Sequence, residues 1–151
     1  MLVTVRDDTT PVTRLDEVLV ELVEPVVVAH GSTQRLVVSL AGVFVLDPAP
    51  LDTAAVSDRA ATAARRTRAL LAQHLRWVPF VDWFAVAEPG SNIDVDGVVP
   101  LDLVTVTVSQ GHTVDGETFD RIGQLLIHNR LVPDWHLGLP TTPERPLASN
   151  G

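Results

Sequence analysis

The sequence contains no cysteine, no lysine and no tyrosine, and these absences exclude several kinds of chemistry. Without lysine there is no Schiff-base amine and no P-loop lysine, and without cysteine there is no thiolate nucleophile and no zinc–sulfur site. The lack of cysteine also fits a reducing compartment. The residues that remain match no strong catalytic motif, so sequence motifs alone do not assign an enzymatic activity.

Long apolar runs are also missing. No stretch reaches the ~18 residues that a membrane-spanning helix needs. The first residues, MLVTVRDD, become acidic too early for a signal peptide. We therefore expect a cytoplasmic protein without a membrane partner, or a virion component if the chain derives from a phage. The 151 residues, of which 46% are hydrophobic, predict one domain with its own core.

The charge is negative and unevenly distributed. All 11 cationic residues are arginines, against 19 acidic residues, for a net charge of −8. This balance argues against a nucleic-acid partner, because neutralising phosphates requires a basic surface. Residues 51–77 carry five arginines and two acids, whereas the rest of the chain carries six arginines and seventeen acids. One positive segment therefore lies in an otherwise acidic protein.

Hydrophobic periodicity predicts three helices. The first covers 14–24 (RLDEVLVELVE), although alternating valines leave a strand as the alternative. The second covers 53–77, which is rich in the good helix formers Ala, Arg and Leu. The third covers 115–131, with Asp115 as its N-cap. The second helix has an apolar stripe that should face the sheet through Ala60, Ala63, Ala64 and Leu71.

Four β-branched or alternating segments predict strands. These segments are residues 26–30, 35–46, 80–88 and 101–110. The resulting order is α-β-β-α-β-β-α, which indicates two hairpins separated by a helix. We predict a single α+β domain over 1–139, with a mainly antiparallel sheet and its helices packed on one face. The polar, proline-containing tail over 140–151 is predicted to be disordered.

Histidines supply the main candidates for acid–base or metal chemistry. His74 lies on the apolar stripe of the second helix, where it is either a buried base or a core histidine bonded to the backbone. We retain it as the candidate catalytic residue. His112, His128 and His136 gather near the third helix, but His112 and His128 lie at opposite ends of it, more than ~15 Å apart. We therefore expect no metal site and no cofactor.

The segment Asn92-Ile-Asp94-Val-Asp96-Gly97 resembles the first half of a calcium-binding loop, with oxygen ligands at alternate positions and then a turn glycine. The acid expected at the twelfth position is absent, since Leu103 stands there. A turn between two strands explains the same residues without an ion. We therefore expect no bound calcium.

Two groups of apolar side chains are candidates for binding. The aromatic stretch RWVPFVDWF, residues 76–84, either lines a ligand pocket or forms a core seam between the second helix and the next strand. Trp135 belongs either to an exposed docking segment over 132–139 or to a strap that closes the core. On the second helix, Arg65, Arg68 and Arg76 point away from the apolar stripe, which makes them candidate interaction residues.

The element order through residues 13–110 resembles the tail-terminator and neck-completion proteins of siphophages. The resemblance rests on the helix RLDEVLVELVE, the strand RLVVSLAGVFVL, the helix with AARRTRALL and the DVDG loop before the last strand. It implies α+β subunits that assemble into rings. The helix over 115–131 is additional to that pattern, and the resemblance transfers no functional residue.

Three functions follow as hypotheses. The first is a non-enzymatic structural protein that self-associates into a homo-oligomer, with other assembly proteins as further partners, because an arginine-bearing helix face in an acidic chain suits head-to-tail contacts. The second is a small enzyme or ligand-binding domain that uses the aromatic stretch and the histidines. The third is a regulatory module that docks a partner through residues 132–139.

Overall fold

A computed structural model describes residues 11–48, 53–87 and 97–137. Over these ranges the chain forms helices, a short 3₁₀ turn at Leu101–Leu103 and the strands of one sheet. The predicted tail over 140–151 lies outside the described residues. The helices are α1 (Pro11–Leu19), α2 (Thr53–Ala72), α3 (Val104–Thr107) and α4 (Gly116–Ile127), and the strands are β1 (Val26–His30), β2 (Arg35–Ser39), β3 (Gly42–Pro48), β4 (Val81–Ala87) and β5 (Val98–Pro100).

The five strands form one mixed sheet in the order β1-β2-β3-β4-β5. β1, β2 and β3 pair antiparallel as a meander, whereas β3–β4 and β4–β5 pair parallel. A parallel neighbour needs a crossover connection, and α2 supplies it between β3 and β4. The fold therefore belongs to the α+β class. Because β1, β3, β4 and β5 all run in the same direction, we call the end where they begin the amino end of the sheet and the opposite end the carboxyl end.

Helices cover both faces of the sheet, which corrects the prediction that they pack on one face. α2 and α4 bury Ala60, Ala64, Leu71, Ile122 and Leu126 against one face. α1 and α3 bury Leu15, Leu19, Val104 and Val108 against the other face. Side chains of β2 and β3 alternate between these two clusters, as the period-two geometry of a strand requires. The central strands are therefore apolar on both faces.

The segment 35–46 was predicted to be one strand, but it is a hairpin of β2 and β3. Ser39 stabilises the turn: its Oγ accepts a hydrogen bond from the amide of Ala41 at 3.1 Å and donates to the Val108 carbonyl at 2.7 Å. The amides of Thr113 and Val114 donate to the Leu40 carbonyl at 2.8 and 3.0 Å. Val108, Thr113 and Val114 lie about 70 residues from the turn in sequence, so the local apolar pattern gave no sign of it.

The alternating segment 101–110 was also predicted to be a strand, but it is helical. A 3₁₀ turn over Leu101–Leu103 leads into α3, and Val104 and Val108 are buried one helical turn apart while Val106 is half exposed. The Thr107 hydroxyl donates to the Leu103 carbonyl at 2.8 Å, four residues earlier. Burial of Val104 and Val108 against α1's face of the sheet therefore outweighs the strand preference of the valines and threonines.

The predicted helices exist, with different ends. The first is helical rather than a strand, but α1 ends at Leu19. α2 ends at Ala72 rather than at 77, and α4 runs from Gly116 to Ile127 rather than from 115 to 131. The Asp115 carboxylate caps α4 as predicted, accepting the amide of Thr118 at 2.7 Å. None of the described helices is both long and apolar enough to cross a bilayer.

Candidate interaction surfaces

The five arginines of the positive segment divide into two groups in the structure. Arg59 donates to the Asp47 carboxylate from Nε at 2.7 Å and from Nη2 at 2.9 Å. Arg66 donates to the Asp134 carboxylate from Nη2 at 2.9 Å and from Nε at 3.2 Å. Two of the five cations are thus neutralised within the molecule by bidentate pairs, the geometry that an arginine fork favours.

The other three arginines, Arg65, Arg68 and Arg76, are exposed, and we call them the arginine face. Arg65 donates to the Thr62 hydroxyl at 3.3 Å. Arg68 and Arg76 make no side-chain hydrogen bond or ion pair within the described part of the chain. Arg65 and Arg68 lie on α2 as predicted, whereas Arg76 lies beyond the end of the helix at Ala72, which corrects its predicted place on the helix. Over the described residues, no carboxylate pairs with these three side chains.

The residues after α2 continue this surface with aromatic side chains. Residues 76–80, RWVPF, form what we call the aromatic turn, which leads directly into β4. Trp77 is 58% exposed and Phe80 is 65% exposed. Between them, Val78 packs against the core and Pro79 is buried, so the turn is anchored while its two aromatic side chains project. The Phe80 ring lies 6.1 Å from the Trp83 ring.

The aromatic stretch 76–84 therefore contains two side chains that pack in the core and two that are exposed. Trp83 is half-buried and packs against the core under α2, and Phe84 lies on the other face of β4, with its ring 6.4 Å from that of Phe44. These two side chains form the core seam that the sequence offered as one interpretation. Trp77 and Phe80 line none of the three clefts described below. They are surface aromatics.

A groove of about 660 Å³ lies at the amino end of the sheet, on the α1 face, and we call it the amino-end groove. Residues 21–26 form one wall, the 39–41 turn forms the floor, and residues from the 105–112 segment form the other wall. Its apolar surface includes Val23, which is 85% exposed, and the half-exposed Val106. A volume of this size lies within the range of ligand-binding clefts.

The groove has an acidic rim and a polar wall. Glu21 and Glu24 are exposed at its edge, on the short segment between α1 and β1. Thr105, Ser109 and Gln110 bring hydroxyl and amide groups to the opposite wall. Ser39 also lines the groove, but its hydroxyl is already bonded to the 41 amide and the 108 carbonyl, so it serves the turn. The groove thus combines an apolar floor with negative charge at the edge.

Asp47 is a buried carboxylate that the sequence analysis did not single out. It lies at the carboxyl end of β3, is 0% exposed, and accepts hydrogen bonds from Arg59 and from the Gln34 amide at 2.8 Å. The hydrogen bond to Asp47 also raises the pKa of Arg59 above its ordinary value. A cleft of about 490 Å³ lies beside it, between Gly31 and α2. One sequence signal could have identified Asp47: it is an acidic residue at the end of an apolar strand, twelve residues before an arginine.

A second ion pair attaches α1 to the sheet. Arg35, which is buried on β2, donates to the Asp16 carboxylate from Nε at 2.7 Å and from Nη2 at 2.9 Å. Burial and the Arg35 charge lower the pKa of the nearby His30 below its ordinary value, and Asp16 acts in the opposite direction. The Arg59–Asp47 and Arg35–Asp16 pairs each make two hydrogen bonds within the fold. We therefore interpret both pairs as contributions to stability.

His74 lies at the edge of a cleft of about 590 Å³ between the end of α2 and α4. The residue comes after the last residue of α2, so it is half-buried in a turn rather than central to a helical stripe. Glu117 and Asp120 line the same cleft, which the sequence spacing did not reveal. A carboxylate beside an imidazole suits proton transfer. His74 remains a candidate, and no bond between these groups is formed in the structure.

The other histidines are dispersed. His112 lines the amino-end groove, His128 caps the C-terminus of α4, and the backbone of His136 pairs with that of His30. Among the residues described, no group of three or more His, Asp or Glu side chains is placed to hold a metal ion. The calcium-like segment, apart from Gly97 with its positive φ of 85°, lies outside the described ranges.

Trp135 is a core residue, which corrects its prediction as an interaction residue. It is 2% exposed, and its indole Nε1 donates to the Thr67 hydroxyl at 2.8 Å. Thr67 in turn donates to the Ala63 carbonyl at 2.7 Å. The ring packs so closely on Gly31 that a Cβ there would lie 3.0 Å from it. The alternative interpretation, a strap that closes the core, fits these contacts because burying the indole satisfies both its apolar and its polar parts.

No protein-family model, curated protein or solved structure matches this chain. Beyond β3, the structure differs from the predicted element order on which the siphophage resemblance rests. β5 pairs parallel with β4 rather than in a hairpin, and residues 101–107 are helical rather than a strand. That resemblance stays a prediction, and the function has to be argued from the surfaces themselves.

Proposed function

We propose that this chain is a non-enzymatic assembly subunit that associates with other copies of itself through the arginine face and the aromatic turn. The observation that carries the proposal is that Trp77 and Phe80 are exposed just after Arg76, and that Arg68 and Arg76 have no side-chain partner among the described residues. Tryptophan and arginine are the residues most enriched at the energetic centres of protein interfaces. In a chain of net charge −8, another copy is an available source of complementary acid.

The internal ion pairs sharpen this argument. Arg59 and Arg66 lie on the same helix and each meets a carboxylate of the same molecule. Arg59 and Arg66 are therefore neutralised within the molecule, whereas the arginine face stays charged. Exposed aromatic side chains cost hydrophobic free energy when they stay in water, and an interface removes that cost. The arrangement favours association over a purely solvated helix surface.

The alternatives receive less support. The ligand-binding hypothesis used an aromatic-lined pocket, but the exposed aromatic side chains line none of the clefts described above. The regulatory hypothesis used docking through 132–139, where the large side chain, Trp135, is already buried. Membership of a phage tail or neck is the finer form of the assembly proposal, and the siphophage resemblance is what suggests it.

Sedimentation at low and high salt tests the proposal. We expect the wild-type protein to form an oligomer near 0.1 M salt that weakens near 1 M, because the Debye length falls from about 10 to about 3 Å. The double variant Arg65→Glu/Arg68→Glu should be monomeric at both salt concentrations and keep its circular dichroism spectrum, since surface changes alter stability within about ±0.5 kcal/mol.

The exposed residue Arg130, which lies beyond α4, offers a matched control. Arg130→Glu reverses one charge outside the arginine face, half the change of the double variant, and should sediment like the wild type. A wild-type protein that stays monomeric at every concentration and salt would show the proposal to be wrong. Equal dissociation by Arg130→Glu would assign the effect to net charge instead.

A further inference from the structure

We propose that the amino-end groove is the binding site for the aromatic turn of a second copy of this chain, an inference that rests on the self-association proposed above. The groove and the turn are separate surfaces of one molecule: neither Trp77 nor Phe80 lines the groove, and both remain more than half exposed. Over the described residues, the structure thus presents an open apolar groove and an exposed apolar turn.

The charges of the two surfaces are complementary. Glu21 and Glu24 stand exposed on the rim of the groove, and Arg76 begins the aromatic turn, with Arg68 exposed on the helix before it. Neither glutamate forms an ion pair within the described residues. Opposed charges of this kind fix the orientation of a contact and speed the encounter of the two partners.

The uncharged parts of the surfaces also match. The floor and both walls of the groove offer apolar side chains: Ala41 from the floor, Val23 from one wall and Val106 from the other. An indole that leaves water needs an acceptor for its N–H, and the 105–112 wall also supplies Thr105, Ser109 and Gln110. A tryptophan from a second copy therefore finds both an apolar surface and a hydrogen-bond partner there.

The topology places both surfaces at one end of the sheet. In the strand registers, Val26 pairs with Ser39, Ser39 with Gly42, and Val43 with Val81. Val26 and Ser39 line the groove, and the aromatic turn ends just before Val81. Two copies that meet at this end can each insert a turn and receive one. The simplest closed arrangement is then a two-fold dimer with two identical contacts.

Complementary variants test this pairing. The turn variant is Trp77→Ser/Phe80→Ser, and the groove variant is Val23→Arg/Glu24→Arg. All four side chains are exposed, so we expect both variants to fold, with circular dichroism and thermal unfolding as the check. We expect each variant alone to associate at least tenfold more weakly than the wild type, on the order of the loss of an interface hot spot.

Mixing the two variants is the decisive measurement. The turn variant keeps an intact groove and the groove variant keeps an intact turn, so an equimolar mixture should form a heterodimer with one working contact. We expect analytical ultracentrifugation to detect it at concentrations where neither variant self-associates. Ile127→Ser, an exposed apolar residue of α4 that lines neither surface, is the control and should leave the wild-type association unchanged.

The outcomes separate this inference from the function on which it rests. A monomeric wild type contradicts both. A wild-type oligomer that the turn variant dissociates and the groove variant does not would leave self-association standing and show the groove to be the wrong site. Two variants that each dissociate but never combine in the mixture would also overturn the pairing, because an intact turn and an intact groove would then be present without binding.

Discussion

Asp47 shows how the fold tolerates a carboxylate that is fully excluded from solvent. Arg59 supplies two donors and Gln34 a third, so the negative charge is both paired and hydrogen-bonded. Arg59 is half exposed, and its side chain spans from the core to the surface of α2. The pair therefore links the end of β3 to the helix that follows it.

Removing Arg59 should destabilise the protein because Asp47 would keep Gln34 as its remaining side-chain donor. We expect Arg59→Ala to lower the free energy of unfolding by about 2–3 kcal/mol, below the full cost of breaking a buried pair since the guanidinium is half solvated. Urea denaturation measures the change. Arg65→Ala, an exposed arginine of the same helix, should stay within about ±0.5 kcal/mol, and equal losses for the two variants would contradict the role of the pair.

His30 should make stability depend on pH. Burial and the Arg35 charge lower the pKa of His30 below its ordinary value of 6.5, so the unfolded chain binds a proton before the folded protein does. The free energy of unfolding should therefore be unaffected by this group above about pH 6.5 and should fall as the pH drops through the interval below.

Urea denaturation between about pH 8 and pH 5 measures this dependence. We expect His30→Gln to lose less stability than the wild type over the acidic half of that range, because the imidazole that must stay neutral is gone. Identical slopes for the two proteins would show that His30 does not contribute to the acid sensitivity.

At the scale of elements, the close contact between α2 and the sheet depends on small side chains. Ala60 and Ala64 are buried there, and Ala64 is 2% exposed. We expect Ala64→Leu to overpack this contact and to lower the free energy of unfolding by about 1–3 kcal/mol. Thermal or urea unfolding checks the effect. Ala69→Leu adds the same side chain at an exposed position of the same helix and should have little effect. Equal losses for both would mean that helix propensity, not packing, decides.

The helices could be predicted from the sequence because each carries its own apolar stripe. Leu15 and Leu19 in α1, and Ile122 and Leu126 in α4, recur four residues apart and are buried. The ends were less predictable, since Val20 lies beyond the end of α1 and is largely exposed, and Ile127, the last residue of α4, is more than half exposed. The Asp115 cap gave the start of α4, but the other helix ends depend on where the next segment has to go.

The two wrong strand predictions share a physical cause. The turn at 40–41 and the helical form of 101–107 are both fixed by contacts between distant segments, such as the Ser39 hydroxyl with the Val108 carbonyl. Exposure of Arg65 and Arg68 followed from helical spacing, whereas Arg76 is exposed in the segment beyond the end of α2. The amino-end groove did not follow from any such spacing, because it combines three segments that the topology alone brings together.

At the scale of the whole molecule, the three tryptophans report on different environments. Trp135 is buried, Trp83 is half-buried and packs on the core, and Trp77 is exposed. If the aromatic turn enters a second copy, Trp77 leaves water when the protein associates while the other two are already within the subunit. Fluorescence quenching by acrylamide should therefore decrease as the protein concentration rises through the association range.

Trp77→Phe provides the matched control for this measurement. The substitution keeps an aromatic side chain at the turn but removes the indole that changes environment, so its quenching should depend much less on concentration. High salt should cancel the change in the wild type, because it weakens the contact between Arg76 and the acidic rim of the groove. Quenching that decreases equally in Trp77→Phe would point to Trp83 or Trp135, and thus to association through another surface. Quenching that is independent of concentration in a protein shown to be oligomeric would place Trp77 outside the interface.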